Sequence, residues 1–249
     1  MKAGLGSFYD WIVNKKFYYN SNRWEWSKIV ELLNSTESKE YDYLEIGCGS
    51  GIFLNIMHNL DRCNAYGIDM SPEPVLECKS KGLNAICGLI EDASFENKFK
   101  YVGAYHILEH VEDPVDLVKK MLDLITNDGS VFISTPYSPM SIESNWHDPL
   151  NYPPHHLTRW NYKAYKKLAK ISNCEIEFYF PKTNSLLKRT ALSLKLQIFG
   201  TKKITKYDLM FKTLINPIRL IKEFIRQYKR DKVNGIVTSD VVLVRLKKK

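Results

Sequence analysis

The stretch that most constrains the fold is a short apolar strand pattern that runs directly into a turn with three glycines. Residues 41–46 (YDYLEI) are rich in strand-favouring side chains. Gly47, Gly49 and Gly51 follow at alternate positions, and apolar residues return at helical spacing from Ile52 onward. The free N–H groups at the start of a helix favour an anionic group. This strand, turn and helix are therefore typical of a nucleotide-type cofactor site at the carboxyl end of a first strand.

The spacing of the glycines argues against a dinucleotide. A dinucleotide site needs G-x-G-x-x-G, whereas here the third glycine comes one residue early, at Gly51, and Ile52 fills the position that should be small. Glu45, two residues before the first glycine, would repel a pyrophosphate, but a cofactor with a cationic centre and an ammonium group would tolerate it. The pattern LEIGCGSG at 44–51 closely resembles the first motif of class I S-adenosylmethionine (SAM)-dependent methyltransferases.

A second strand pattern ends in an acid at the distance expected for such a site. Residues 65–69 (AYGID) end at Asp69, which lies 18 residues after Gly51. A carboxylate at this place in αβα nucleotide folds can accept hydrogen bonds from two ribose hydroxyls. We therefore predict that Asp69 holds the ribose of the cofactor.

The resemblance implies a single Rossmann-like α/β domain, with a seven-stranded class I methyltransferase sheet, helices on both faces and a helical insertion before the last strand. The implied organisation is an N-terminal helical lid segment at 1–40, a SAM-binding core at 41–181 and 236–249, and a basic helical insertion at 182–235. The implied cofactor is SAM, with S-adenosylhomocysteine as product. The predicted cofactor-binding residues are Glu45, Gly47, Cys48, Gly49, Gly51, Asp69, Met70, Ile90 and His106.

Two details of this assignment depart from the family or stay open. Related methyltransferases often carry an acid near Ile90 to contact the adenine amine, so any adenine contact here is expected to be apolar or through the backbone. In the lid segment, one interpretation has Tyr19 and Arg23 closing over the cofactor, and the other places its aromatic residues in the core.

A second motif narrows the branch of the family. Residues 108–114 (LEHVEDP) resemble the LEH-hydrophobic-x-D-P signature of a branch whose members methylate hydroxyls of quinone precursors, sugars and other small molecules. That family usually has an acid at the start of the preceding strand, where this chain has Lys100. Glu109 and His110 are open to two interpretations, one catalytic and one in packing or cofactor positioning.

A loop rich in histidine, tryptophan and proline follows the fifth strand pattern at 146–160. In the proposed fold this loop lies over the transferable methyl, and its prolines stiffen it. A histidine with a near-neutral pKa suits removal of a proton from an attacking hydroxyl, so the candidate catalytic residues are His155, His156 and, third, His147. The alternative is that these histidines only hold the loop together. Two adjacent histidines are a poor metal site, so no metal is predicted.

The loop also bears on the acceptor. A PPHH-x-x-x-W segment similar to residues 153–160 recurs in related methyltransferases associated with surface-polysaccharide gene clusters. Methyltransferases that act on nucleic-acid bases resemble one another in a Pro-Pro motif directly after the fourth strand, where this chain has residues 106–110 (HILEH). No nucleic-acid partner is therefore expected.

The basic charge is concentrated in the last quarter of the chain. Residues 1–181 hold 18 Lys or Arg against 24 Asp or Glu, whereas residues 182–249 hold 18 against 4. Such asymmetry indicates an anionic partner for the tail or simply a solvated lysine-rich face. From 207 to 228 the apolar residues follow helical spacing, broken at Pro217. Three interpretations remain: a substrate lid or homodimer arm, a basic helix at 204–230 on an anionic membrane surface, or an extra packed helix pair.

Composition places the chain among folded proteins of a reduced compartment. Hydrophobic residues make up 44% and aromatic residues 12%, and the five cysteines form no C-x-x-C pair. No signal peptide and no membrane-spanning apolar run is visible. The expected location is the cytoplasm, with contact to the inner membrane face as an option.

The predicted function is methyl transfer from SAM to a small-molecule acceptor, phosphorylated or nucleotide-linked. The first choice of acceptor is a sugar hydroxyl of a nucleotide-activated or lipid-linked glycan precursor in capsule or O-antigen biosynthesis. The second is a quinone-type or other lipophilic molecule at the membrane surface. A third alternative is a non-catalytic SAM-binding protein or an NAD-dependent protein.

Overall fold

The computed structural model describes residues 23–35, 40–141, 143, 151–199, 217–230, 232–233 and 236–249. In chain order, the elements within these ranges are α1 (Trp24–Asn34), β1 (Tyr41–Ile46), α2 (Ile52–His58), β2 (Cys63–Asp69), α3 (Pro72–Ser80), β3 (Asn84–Cys87), β4 (Phe99–Tyr105), α4 (Pro114–Leu124), β5 (Ile125–Pro136), α5 (Tyr162–Ile171), β6 (Cys174–Tyr179), α6 (Leu186–Phe199), α7 (Pro217–Tyr228), β7 (Lys232–Val233), β8 (Ile236–Val237) and β9 (Val241–Lys248).

Seven strands form one sheet in the order β3-β2-β1-β4-β5-β9-β6. The first five of these pair in parallel, and β9 runs antiparallel between β5 and β6. Because β2 lies on one side of β1 and β4 on the other, the chain order reverses at β1. Ligands in open α/β sheets bind at the carboxyl ends of the strands beside such a reversal.

Helices cover both faces of the sheet because successive side chains of the central strand point to opposite faces. Leu44 and Ile46 join one apolar cluster with α4 and α5, whereas Tyr43 joins a second cluster that includes Phe53 of α2 and Ile29 of α1. The fold class predicted from the sequence is thereby confirmed: a seven-stranded mixed α/β sheet with helices on both faces.

Two helices begin at side-chain caps that the sequence encodes. Asp113 accepts hydrogen bonds from the backbone N–H groups of Val115 and Asp116 at 3.0 and 2.9 Å, and Pro114 is the first helical residue of α4. Asn161 accepts one from Ala164 at 3.0 Å at the start of α5. A cap of this kind stabilises a helix by about 1 kcal/mol. The cap at Asp113 sets the boundary between α4 and the segment before it, residues 108–113, which we call the LEH segment.

The described part of the 182–235 segment contains α6, α7 and the two-residue strand β7, which pairs antiparallel with β8 just after the segment. The carboxylate of Glu223, on α7, is buried and accepts hydrogen bonds from Arg226 and from Gln197 of α6. Arg226 also donates to the backbone oxygen of Ser141 at 2.8 Å, which ties α7 to the loop after β5. None of the helices in the described ranges combines the length and the apolar character needed to cross a bilayer.

Candidate active site

The glycine turn is packed on its underside and open above. A Cβ atom on Gly47 would lie 2.3 Å from Ile107 Cδ1, and one on Gly51 would lie 2.7 Å from Cys78 Sγ. A Cβ atom on Gly49 would meet nothing within 4 Å, although Gly49 has the same left-handed backbone, with φ of +51°. The first and third glycines therefore allow close packing, whereas the middle one leaves space for a ligand over the turn.

Asp69 stands beside this opening, as the sequence predicts. Its Oδ2 accepts a hydrogen bond from the N–H of Gly49 at 2.9 Å, and its Oδ1 accepts one from the N–H of Ser71 at 2.8 Å. These two bonds orient the carboxylate, and each oxygen keeps a further lone pair for a ligand. Its contact with a ribose remains a prediction.

Glu45 lies under the turn and is only 4% exposed. Burial, together with the negative charge of Asp69, raises the pKa of Glu45 well above its usual range. Its Oε2 atom has no hydrogen-bond partner within the described ranges. A buried carboxyl with an unsatisfied oxygen is costly unless a ligand compensates it, and a cationic ligand group would do so.

His106, directly after β4, lies between the carboxyl groups of Glu25 and Glu109. His106 Nε2 donates to Glu25 Oε1 of α1 at 3.0 Å, and its Nδ1 lies 3.3 Å from Glu109 Oε1. Burial opposes a charge on this ring, but the bonds to Glu109 and Glu25 outweigh it and raise the pKa of His106. Burial would likewise raise the pKa of both acids, yet their contact with His106 leaves each pKa lowered. The side chain of His106 is 27% exposed, and the two buried carboxylates beside it favour its charged form.

The described part of the histidine loop, residues 151–160, is hydrogen-bonded to the LEH segment. The N–H groups of Leu157 and Thr158 donate to the backbone oxygen of Glu109 at 2.8 and 3.2 Å. His110 Nδ1 donates to the backbone oxygen of His155 at 2.7 Å, and the ring of His110 lies edge-to-face against those of both His155 and His156. The two candidate bases are therefore brought next to Glu109, while His147 lies outside the described residues.

A small cavity opens between this loop and the segment after β5. Its wall includes Glu109 and His156 together with Met140, Asn151 and Arg159. Burial lowers the pKa of His156 to about 4, so this ring is uncharged at neutral pH. The cavity therefore presents a neutral proton acceptor beside a carboxylate.

The remaining predicted cofactor residues surround the glycine turn without forming hydrogen bonds that reveal a role. Met70 follows Asp69 and is 47% exposed. Ile90 packs partly buried against the apolar cluster beneath it. Cys48 is buried, and burial together with the charge of Glu45 raises its pKa, so it is an inert thiol. Within the lid segment, Arg23 lies 3.8 Å from Glu25, and Tyr19 is outside the described residues.

The sequence analysis missed Glu25 altogether. It lies 81 residues before its partner His106, and no local pattern distinguishes it from a surface acid of α1. The only signal is its position on the apolar face of that helix, where Trp26 and Ile29 are also buried.

The chain matches a family model described as a methyltransferase domain over residues 19–177. The match spans the glycine turn, Asp69, the LEH segment and the histidine loop. The chain belongs to this methyltransferase family.

Curated relatives of this methyltransferase match part of it. Over 101 aligned residues the chain is 36% identical to the ubiquinone biosynthesis O-methyltransferase of Vibrio parahaemolyticus. This alignment covers 37% of the chain and 42% of that relative. The corresponding enzyme of Escherichia coli O127:H6 is 32% identical over 100 residues, with 37% and 41% covered. The matched region thus spans less than half of the length of these relatives.

Solved structures share the fold over nearly the whole chain. The plantazolicin methyltransferase BpumL, solved with a desmethylPZN analogue and S-adenosylhomocysteine (SAH), has a TM-score of 0.58 at 18% identity and covers 98% of this chain and 90% of its own. A SAM-dependent methyltransferase from Archaeoglobus fulgidus has a TM-score of 0.60 at 16% identity, with 96% and 100% covered. At this identity the likeness concerns the fold.

The cofactor of this methyltransferase domain is SAM, and the local structure fits it. The open space above Gly49 accommodates a ligand, the unsatisfied oxygen of Glu45 suits its cationic part, and the oriented carboxylate of Asp69 suits a hydroxyl pair. The NAD-dependent alternative is thereby set aside.

Proposed function

We propose that the protein methylates a hydroxyl of a sugar, carried by a nucleotide-activated or lipid-linked precursor in capsule or O-antigen biosynthesis. The observation that carries the proposal is the cavity after β5 whose wall contains His156, a neutral proton acceptor, and the carboxyl group of Glu109. The resemblance of the PPHH segment to methyltransferases of surface-polysaccharide clusters supports the choice of a sugar. The basic residues of the 182–235 segment support an acceptor that carries phosphate.

The residues of the chain would act mainly by positioning. SAM supplies an already activated methyl group when it is bound, so orientation of the acceptor hydroxyl provides most of the acceleration. Glu45, Gly49 and Asp69 would hold the cofactor. His106, fixed between Glu25 and Glu109, would shape the wall between the cofactor and the acceptor.

His156 would remove the proton of the acceptor hydroxyl. Its ring is neutral at physiological pH, so a ring nitrogen can accept the hydroxyl hydrogen bond. A base with a pKa of about 4 is weak, but the hydroxyl becomes more acidic as its oxygen forms the new bond, and the neighbouring carboxylate of Glu109 stabilises the imidazolium that results. General-base assistance of this kind contributes about 10²-fold.

The proposal is tested by supplying SAM and a panel of nucleotide sugars and measuring SAH release, with NMR of the product to locate the new methyl group. We expect one nucleotide sugar to give turnover with the methyl on a ring hydroxyl. Absence of SAH release with every nucleotide- or lipid-linked sugar would contradict it.

A quinone-type acceptor is the second candidate, and the partial match to ubiquinone biosynthesis O-methyltransferases favours it. A catechol or polyprenyl catechol belongs in the same panel for this reason. Turnover with the catechol and none with the sugars would select this alternative.

A further inference from the structure

A cavity lined by cations lies beside the acceptor cavity, between α6, α7 and the start of β9. It has a volume of about 180 Å³, and its lining includes residues 182–184, Arg189, Arg230, Ser239, Ser141 and Asp240. Ser141 is next in sequence to Met140, which lines the cavity that contains His156. The two cavities therefore flank the same short segment after β5.

Arg189 is a partly buried residue whose guanidinium has two buried N–H-bearing nitrogens. Its Nε and Nη1 atoms are buried and have no hydrogen-bond partner in the part of the chain that the structure describes. Burial and the nearby charge of Arg230 lower its pKa, which means that two like charges face the same space. Leaving guanidinium N–H groups buried and unpaired is costly, so the arrangement favours the binding of an anion.

Arg230 is only partly neutralised. Its side chain is 11% exposed, and its Nη2 donates to Asp240 Oδ1 at 2.7 Å, while its Nε has no partner within the described ranges. Asp240 is itself engaged by the N–H and the hydroxyl of Ser141. Against this single carboxylate the cavity carries Lys182, Arg189 and Arg230, so an excess of positive charge remains.

The start of α6 adds to the same preference. Residues 182–184 line the cavity directly before the helix, and the first N–H groups of a helix favour an anion. Guanidinium groups match phosphate oxygens with two parallel hydrogen bonds, a geometry that chloride does not offer, and two guanidinium groups near one cavity can bind two linked phosphates.

We propose that Arg189 and Arg230 bind a diphosphate group, and that this group is the one that links the acceptor sugar to its nucleotide or lipid carrier. The second half of this statement depends on the proposed function. Anchoring the diphosphate in this cavity would hold the attached sugar across the 138–141 segment, next to His156. The basic insertion would then select acceptors by their phosphates and leave the methyl-transfer site to select the hydroxyl.

The test is calorimetric titration of the full chain, loaded with SAH, with inorganic pyrophosphate. We expect the wild type to bind and Arg189→Gln to bind about 10-fold or more weakly, because charge-assisted hydrogen bonds to the anion are lost. Lys188→Gln is the matched control, since Lys188 is the exposed neighbour on the same helix and its loss should leave the affinity unchanged. SAH affinity should be the same in all three proteins.

Stability separates a binding role from a structural one. Arg189→Gln removes a guanidinium with two buried, unpaired nitrogens, so its melting temperature without ligand should not fall. Pyrophosphate should raise the melting temperatures of the wild type and of Lys188→Gln more than that of Arg189→Gln. Arg189→Lys keeps the positive charge but loses the pair of parallel N–H donors of the guanidinium, so it should bind pyrophosphate with intermediate affinity. No binding of pyrophosphate by the wild type, or equal binding by Arg189→Gln, would overturn the proposal.

Two further ligands identify the carrier. Uridine diphosphate tests a nucleotide source, and co-sedimentation with phosphatidylcholine vesicles that contain a polyprenyl diphosphate tests a lipid source. Dependence on Arg189 in either supports the site. Methylation of nucleotide sugars with the same kcat and KM by the wild type and Arg189→Gln would keep the proposed function and overturn the site. Binding of pyrophosphate that depends on Arg189, without methylation of any sugar, would keep the site and overturn the proposed function.

Discussion

The carboxylate of Asp69 accepts a hydrogen bond from the N–H of Gly49, which joins the end of β2 to the open side of the glycine turn. The residue predicted to hold the ribose and the residue that leaves room for the cofactor are thus held at a fixed distance. A change in either one should affect SAM binding more than it affects the fold.

Asp69→Ala should weaken SAM binding by about 10-fold or more, because it removes the carboxylate predicted to accept from the ribose and releases the N–H of Gly49. Asp69→Asn retains one oxygen for the turn and should show a smaller loss. Calorimetry of SAM with both variants measures the difference. Wild-type affinity in Asp69→Ala would remove the ribose assignment.

Gly49→Ala should weaken SAM binding much more than it destabilises the chain. The left-handed backbone at this position costs a residue with a Cβ about 1–2 kcal/mol, and the new methyl group projects into the space over the turn. Gly82→Ala is the matched control, since Gly82 has φ of +77° and nothing within 4 Å of its Cβ position, and it lies in the turn after α3 and not in the glycine turn. Both variants should lose similar stability in urea, and only Gly49→Ala should lose SAM affinity. Equal SAM affinities would contradict the placement of the cofactor.

Glu45→Gln should stabilise the protein and weaken its binding of SAM. A carboxyl whose pKa is raised on folding favours its protonated form, so its ionisation destabilises the fold as the pH rises above about 4.5 toward the raised pKa. Glutamine removes that cost, and the melting temperature at pH 8 should increase. It also removes the negative charge that suits a sulfonium or ammonium group, so SAM affinity should fall about 10-fold. A variant that is less stable at pH 8 would contradict this account.

The sequence predicted the glycine turn and Asp69 at the end of the second strand because both depend on local spacing. The seven-stranded sheet was predicted from the resemblance to a methyltransferase family, and the structure confirms it. Three glycines at alternate positions permit few backbone conformations, and an apolar strand pattern before them fixes the face on which the turn opens. The caps that the structure shows at Asp113 and Asn161 are also local, since a capping side chain binds N–H groups within three residues.

What the sequence did not predict depends on contacts between distant elements or on weak periodicity. The pair of Glu25 and His106 forms only when α1 packs beside the end of β4. Because the two residues are 81 positions apart, no local sequence pattern predicts their contact. The sequence did not predict helix α6 because its apolar residues are spread over several faces of the helix and give no clear helical periodicity. Leu187 is exposed, for example, while Leu194 is buried. The Arg189 cavity needs α6, α7 and β9 together, so only the structure reveals it.

The ion cluster around His106 should make stability depend on pH from both sides. A histidine whose pKa is raised on folding contributes stability that is complete below about 6.5 and is lost as the pH rises through its folded pKa. Glu25 and Glu109 have lowered pKa values, so their contribution is present above about 4.5 and is lost as the pH falls through their folded values.

His106→Gln should therefore lower stability by about 3 kcal/mol near pH 6, since it leaves two buried carboxylates without their cation. The difference from the wild type should shrink as the pH rises above the pKa of His106. Urea unfolding at pH 6 and at pH 9 measures both effects. A loss of stability that is the same at both values would contradict the charged state of His106.

The last prediction separates catalysis from loop packing at the two adjacent histidines. His156→Gln should lower turnover about 10²-fold at unchanged SAM affinity if the ring removes the acceptor proton, and His155→Gln tests the other candidate in the same assay. His58→Gln, at an exposed position at the end of α2, is the control for removal of a histidine. Because the pKa of His156 is lowered to about 4, its contribution to stability is complete above about 6.5 and is lost as the pH falls toward 4. The acid limb of the turnover profile should accordingly lie near pH 4 and not near 6.5, and it should disappear in His156→Gln. Wild-type turnover in both variants would leave the pair with a role in holding the loop on Glu109 and would remove the general base from the proposed mechanism.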